Sequence, residues 1–262
     1  MKRENIDFGK EFDWGKASEN YAKFRDIYPA QFYQRILDLG YCKNGRKVLD
    51  LATGTGVLPR NMYAYGAKWT GVDISENQIK YANKLSKGLD INYIVSPAET
   101  LDFEENSFDV VTACQCFMYF DKNILLPKIH KWLKPDGHLL IMSMDWLPFE
   151  SEIAYKSEKL ILKYNPSWTG KGTKRYDIKT PDWLGDMFTV SNKISFDTDV
   201  SFTRDTWHGR IKACRGIGTG ALSDEEIAKW EKEHKAMLSS YPEKFTIPHY
   251  VTILDLEKKI KV

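Results

Sequence analysis

An α/β chain with a mostly parallel sheet and helices on both faces is the fold this sequence predicts, and three observations predict it. Apolar runs of strand length alternate with segments of helical period across residues 46–144. A glycine-rich turn, Ala52-Thr53-Gly54-Thr55-Gly56, directly follows the apolar run Val48-Leu49-Asp50-Leu51. A second apolar run, Trp69-Thr70-Gly71-Val72, ends in an acid, Asp73, which lies 23 residues after Asp50.

The elements follow in order. Residues up to about Ser18 mix charges with Phe8, Phe12 and Trp14 and show no clean period, so a mobile arm or lid is expected there. Over residues 29–39, Phe32, Ile36 and Leu39 recur at helical spacing. Strand 46–51, helix 57–64, strand 67–72, helix 75–86 and strand 91–95 come next, with Ser75 and Gln78 forming a capping-box pattern. Strand 107–113 precedes a helical stretch interrupted by Pro127, where a kink or a short restarted turn is expected. Pro135-Asp136-Gly137 signals a turn that launches strand 137–144. The aromatic stretch 146–184, with Trp146, Phe149, Trp168, Trp183 and a flexible Gly170-Lys171-Gly172 stretch, is expected to cover a substrate. Alternation over 194–202, an amphipathic helix over 223–238 and a strand over 247–254 close the chain. The organisation expected is an arm and helix at 1–45, a ligand-binding core at 46–145, the aromatic insertion at 146–193 and closing elements at 194–262.

Composition excludes several classes of function. A length of 262 residues allows a substantial core. Lys and Arg number 38 against 36 for Asp and Glu, a net charge of +2, so no nucleic-acid partner is expected. No apolar run approaches a membrane span, and Met1-Lys2-Arg3-Glu4-Asn5 leads into charge instead of a signal-peptide core, so a cytoplasmic protein is expected. The cysteines, Cys42, Cys114, Cys116 and Cys214, are irregularly spaced and lack histidine pairs at ligand spacing, so no metal site is expected. On a strand, Cys114 and Cys116 would share a face and act as small apolar side chains.

The glycine turn discriminates between cofactors. A dinucleotide loop places a third glycine three residues after the second, and Pro59 stands there. Asp50 puts a negative charge by the turn, which disfavours a pyrophosphate and suits a sulfonium or ammonium group. Asp73 ends its strand where a carboxylate can accept hydrogen bonds from both ribose hydroxyls. Two acids framing a glycine turn favour S-adenosylmethionine over a dinucleotide.

With these features the sequence resembles the class I S-adenosylmethionine-dependent methyltransferases, specifically the small-molecule, type 11 branch. The resemblance covers about residues 18–144. It rests on the segment 48–56, on Gly71-Val72-Asp73-Ile74-Ser75 and Ser96-Pro97-Ala98-Glu99, and on Ser107-Phe108-Asp109-Val110-Val111-Thr112-Ala113 and Leu133-Lys134-Pro135-Asp136-Gly137-His138-Leu139, in the family's order. It implies a Rossmann-like, mostly parallel seven-stranded sheet. It also implies that S-adenosyl-L-methionine is bound and S-adenosyl-L-homocysteine released. Ala52, Gly54 and Gly56 would line the methionine and ribose portions with Asp50 nearby. Asp73 would hold the ribose, Ile74 would stack on adenine with Gln78 beside it, and Ala98 and Glu99 would reach the adenine edge. Glu99 has a second reading, as a first-turn acid complementing a helix dipole.

The resemblance implies further residues. Cys114 and Gln115 would end the fourth strand at the cofactor, with Met118 and Tyr119 toward the substrate. Met118 stands where many relatives carry histidine. The segment Tyr21-Ala22-Lys23-Phe24-Arg25-Asp26-Ile27-Tyr28-Pro29 is similar to the family's lid motif, except that Asp26 replaces a proline. There Tyr21 would close over the sulfonium, and Arg25 would pair with the cofactor carboxylate, a substrate acid or a core acid. Trp146 would line the substrate pocket. Within Trp207-His208-Gly209-Arg210-Ile211-Lys212-Ala213-Cys214-Arg215, His208 is the candidate base beside Tyr21 as the other catalytic candidate. Arg210 and Arg215 are candidate binders of an acidic acceptor, the alternative being a solvated basic helix. Three functions remain open at this stage: methyl transfer to a small-molecule acceptor, cofactor binding without turnover as a sensor, and nicotinamide-dependent oxidoreduction. A monomer or a homodimer is expected.

Overall fold

The computed structural model describes residues 1–260, and the chain divides into two compact units. The larger unit comprises 29–144, 177–196 and the residues from 251; the smaller comprises 1–28, 145–176 and 197–250.

The larger unit holds a seven-stranded sheet in the order β3-β2-β1-β4-β5-β7-β6. Its strands are β1 Lys47–Leu51, β2 Lys68–Asp73, β3 Asn92–Val95, β4 Phe108–Cys114, β5 Leu133–Trp146, β6 Phe188–Thr203 and β7 Lys244–Lys258. The last three continue into residues that belong to the smaller unit. Strands β1 to β5 pair in parallel. Parallel pairing with both faces covered is why β1 is apolar almost throughout, with Val48, Leu49 and Leu51 wholly buried. Helices α2 Ala30–Asp38, α3 Val57–Met62, α4 Glu76–Leu85 and α5 Lys122–Trp132 belong to the same unit. Register brings Leu51 opposite Val72 on one side and Ala113 on the other. The residues that follow, Ala52, Asp73 and Cys114, therefore share one edge of the sheet. Strand order also reverses between β1 and β4, which is where open parallel sheets bind ligands.

Two local expectations change. Helix α5 runs continuously through Pro127 in place of a restart. Leu125, Leu126, Ile129 and Trp132 are buried on either side of the proline, and that packing outweighs one missing backbone donor. Strand β5 begins at Leu133, not after Gly137: pairing steps from Phe108↔Leu133 to Val110↔His138, so the Pro135-Asp136-Gly137 turn is a bulge within the strand. The bulge is tight, since a Cβ on Gly137 would lie 2.9 Å from the Lys134 carbonyl oxygen.

The smaller unit contains α1 Ser18–Phe24, α6 Glu152–Tyr164, α7 Arg204–Lys212 and α8 Asp224–Ser239. Helix α6 arises inside the stretch expected to be an aromatic cover. Ser151 caps it by accepting the Ala154 N–H at 3.3 Å, and Ile153, Ala154, Ser157 and Ile161 form its buried face. The N-terminal residues are pinned within this unit. Asp7 is buried, accepts the Thr169 N–H at 2.7 Å and pairs with Arg215, while Phe12 is also buried. Among the described residues no helix is long and apolar enough to cross a membrane.

Candidate cofactor site

The turn after β1 is made by three left-handed residues in five: Ala52 at φ 49°, Gly54 at φ 58° and Gly56 at φ 74°. Such angles suit glycine and are unusual for alanine, so Ala52 marks a strained backbone held by its surroundings. The Thr53 N–H donates to the Val72 carbonyl at 2.9 Å, and the Gly56 N–H donates to the Thr53 carbonyl at 2.9 Å. Asp73 completes the brace. Its Oδ2 accepts the Gly54 N–H at 2.9 Å and its Oδ1 accepts the Ser75 N–H at 2.9 Å. One carboxylate thus ties the end of β2 to the glycine turn and to the start of α4.

Both framing acids are buried. Burial pushes the Asp73 carboxyl up to about 6, against the two backbone donors that favour its ionised form. Burial likewise pushes Asp50 up to about 6, with the Asp73 charge adding to the effect. Asp50 differs from its sequence-based expectation. It is 3% exposed and faces the sheet, accepting the Thr53 hydroxyl at 2.6 Å and the Thr112 hydroxyl at 2.7 Å. It supports the turn from below and does not line its mouth.

Tyr93 is a residue that sequence reasoning missed. Its ring lies where a Cβ on Gly56 would come 2.1 Å from the hydroxyl, and where a Cβ on Gly71 would come 2.8 Å from the ring. Its hydroxyl shares a hydrogen bond of 2.9 Å with Ser86. The bare glycines at 56 and 71 are therefore what lets the turn fold down onto this ring. The signal was weak, because nothing in the sequence near Tyr93 points to residues 56 and 71.

The other expected cofactor residues fall on the same unit. Ile74 stands 50% exposed directly after Asp73, an apolar side chain left in solvent where a flat ring could stack. Gln78 is buried in α4, and its backbone N–H donates to Ser75 Oγ at 3.3 Å. Ala98 is buried, and Glu99 Oε1 accepts the Asp121 N–H at 3.0 Å, just before α5. Cys114 ends β4 half-buried. Gln115 follows at φ 62°, its N–H donating to the Met142 carbonyl at 2.8 Å and its side chain donating to the Met144 carbonyl. Met118 is exposed and Tyr119 half-buried on the next turn, beside Phe117, which is buried against Trp183.

The remaining candidates belong to the smaller unit. Tyr21 packs edge-on to Trp14, and the Arg25 guanidinium lies 4.8 Å from the Tyr21 ring centre. Trp146 donates its indole N–H to Glu158 at 2.7 Å and lies beneath Arg210, whose Cζ is 4.8 Å from the ring. His208 is not placed as a base. Its Nδ1 is hydrogen-bonded to His234 Nδ1 at 2.8 Å, it stacks on Trp230, and burial lowers its pKa to about 4. His234 Nε2 continues the chain to Ser157 Oγ at 2.9 Å. This is a neutral network that joins α6, α7 and α8.

Comparison with known proteins finds methyltransferases. Residues 49–141 match the family described as Methyltransferase domain, type 11. A ubiquinone biosynthesis O-methyltransferase from Pseudomonas entomophila is 27% identical over 212 residues, covering 74% of this chain and 90% of that protein. A chain from Anaeromyxobacter dehalogenans, described as a candidate type II methyltransferase, superposes with a TM-score of 0.61 at 15% identity, covering 87% of this chain and 96% of that one. A phosphoethanolamine N-methyltransferase 2 from Haemonchus contortus, solved with phosphomonomethylethanolamine and S-adenosylhomocysteine, gives a TM-score of 0.53 at 20% identity. It covers 93% of this chain and 58% of that one. The two structural likenesses show the fold.

Proposed function

We propose that this chain, which carries a type 11 methyltransferase domain, is a class I S-adenosylmethionine-dependent methyltransferase whose own residues hold the cofactor as follows. The cofactor lies along the shared edge of β1, β2 and β4, and the methyl group goes to a small-molecule acceptor. The observation that carries this assignment is Asp73: its two oxygens brace Gly54 and Ser75, yet each keeps a lone pair for a ribose hydroxyl. The exposed Ile74 beside it offers an adenine face. The residues present fit the group, since the half-buried Ala52 and the exposed Ile74 flank Asp73 at this edge, while the buried Gly54 and Gly56 give the left-handed turn that holds them there.

The roles divide simply. Gly54 and Gly56 hold the turn, with Ala52 toward the ribose and methionine portions. Ala98 and Glu99 serve the adenine edge; Cys114 and Gln115 lie at the methionine end. The cofactor supplies a methyl group on a positively charged sulfur that departs as a neutral thioether. The chain contributes alignment and exclusion of water, and the ionised pair Asp50 and Asp73 gives the edge a negative potential that favours a cation. An amine acceptor that is already unprotonated needs no base, whereas a hydroxyl or carbon acid wants one, which His208 in its buried network does not supply. Pro59, buried in α3 where a dinucleotide loop wants glycine, counts against the nicotinamide alternative.

Calorimetric titration with S-adenosylmethionine, S-adenosylhomocysteine and NAD tests the assignment. Binding of the two sulfur compounds that Asp73→Ala abolishes is the expected result. Preference for NAD, or no binding of either sulfur compound, overturns it.

A further inference from the structure

Arg210, on α7 in the smaller unit, is 4% exposed, and its Nε and Nη1 have no hydrogen-bond partner. One face of its guanidinium lies on Trp146. Arg25 follows α1 directly and is half-buried against Tyr21. Gly209 brings the two arginines together. A Cβ there would fall 2.3 Å from the Phe24 ring, so α1 and α7 approach as only a bare Cα allows, and the residues that follow Phe24 and Gly209 are the two arginines.

Tyr21 hydrogen-bonds Arg25, but no carboxylate in the neighbourhood offsets these charges. The groups around them are Tyr21, Tyr28, Cys214 and His249. Burial raises the Cys214 thiol and keeps it neutral. His249 is wholly buried, with Nδ1 at 2.8 Å from the Ile247 carbonyl and Nε2 without a partner. Burial lowers it to about 4, so it too is neutral. Burial and the Arg25 charge together lower Arg210 only to about 9, so it stays charged at neutral pH. Among the described residues neither guanidinium has an ion pair. Other arginines of this unit do: Arg175 pairs with Glu150 and Asp197, Arg215 with Asp7, and Arg204 with Glu243 at 3.7 Å. A buried charge without a partner is strongly unfavourable, and where the fold supplies no anion a ligand can.

We propose that Arg210 and Arg25 form the seat of an anionic ligand group, a carboxylate or a phosphate. Guanidinium N–H donors recognise carboxylate and phosphate oxygens through short charge-assisted bonds, and Trp146 below and Tyr21 beside fix the planes in which those donors point.

Thermal melting and calorimetry test this with inorganic phosphate and benzoate as probes, against chloride at equal ionic strength. At least one probe is expected to bind and raise the melting temperature of the unaltered protein. Arg210→Gln should weaken that probe by about tenfold or more, the loss expected for a charge-assisted contact. Arg210→Lys, which keeps the charge without the planar fork, should fall between. Phosphate alone, benzoate alone or both would each support the seat and identify the acid. Binding no stronger than chloride, or equal binding to Arg210→Gln, overturns it. S-adenosylhomocysteine is titrated into the same proteins. Its retention by Arg210→Gln shows a folded cofactor site, while its failure to bind the unaltered protein would count against the methyltransferase assignment instead.

Discussion

The carboxylate of Asp73 accepts the backbone N–H of Gly54 at 2.9 Å, so the acid assigned to the ribose also shapes the turn beside it. Asp73→Asn tests both roles together. The amide keeps one acceptor oxygen and the side-chain shape, but it loses the charge and two of the acceptor sites. S-adenosylhomocysteine binding should weaken by about tenfold to a hundredfold, the range for losing one or two charge-assisted hydrogen bonds. The melting temperature should fall as well, since the amide nitrogen must face the N–H of either Gly54 or Ser75 and one brace is lost. Calorimetry beside a thermal melt checks both, and unchanged affinity would remove Asp73 from the cofactor site.

The raised pKa of that carboxyl gives the affinity a pH dependence. Asp73 is ionised above about pH 6 and protonated below it. A protonated carboxyl carries a hydrogen where an acceptor is needed. Affinity for S-adenosylhomocysteine should therefore be level from pH 8 to 7 and fall below 6, approaching about tenfold per pH unit if only the ionised form binds. Asp73→Asn should flatten the profile. A profile that falls equally in both proteins would assign the dependence to another group.

Gly71 tests the packing under the turn. A Cβ there would lie 2.8 Å from Thr53 Oγ1 and 2.8 Å from the Tyr93 ring. Thr53 is also the hydroxyl that bonds Asp50, so the added methyl would disturb a buried acid as well as a ring. Gly71→Ala should cost about 1–3 kcal/mol of stability, as overpacking does. Tyr93→Ala should relieve part of that cost, so that the double variant is less destabilised than the sum of the two singles. Denaturant unfolding of the four proteins checks it, and strict additivity would mean that Tyr93 and Gly71 do not compete for the same space.

The contrast between Asp73 and Asp50 shows how far the site was legible in the sequence. Strand, turn and second acid follow one another along the chain, so apolar runs, glycine spacing and the position of Asp73 could be read locally. Whether Asp50 faces a ligand or the sheet depends on Thr112, which is distant in sequence and becomes its partner only when β1 pairs with β4. Helix α6 was legible in principle, since Ile153, Ser157 and Ile161 recur every four residues, but Ser157 interrupts the apolar face and weakens the pattern. The Arg25 and Arg210 pair was half legible. Both arginines stand out in the sequence, while the close approach that joins them depends on Gly209 meeting Phe24.

Acid should loosen the smaller unit before the larger one. His208, His234 and His249 are buried there with pKa values lowered to about 4, about 3 and about 4, all mainly by burial. An unfolded histidine takes up a proton near pH 6.5, so below that value protons favour the unfolded form, by up to about 1.4 kcal/mol per pH unit per histidine. Asp50 and Asp73 in the larger unit work in the opposite sense. Their carboxyls are raised to about 6, so the folded form binds protons more tightly than the unfolded one, and their contribution improves as pH falls from 6 toward 4. Hydrogen exchange corrected for intrinsic rates should therefore show segments 152–164 and 204–239 losing protection between pH 6.5 and 5 while segments 47–73 keep theirs. Replacing both His208 and His234 with leucine should reduce that loss. The reverse order, with the β1 and β2 segments opening first, would show that these histidines do not control acid stability.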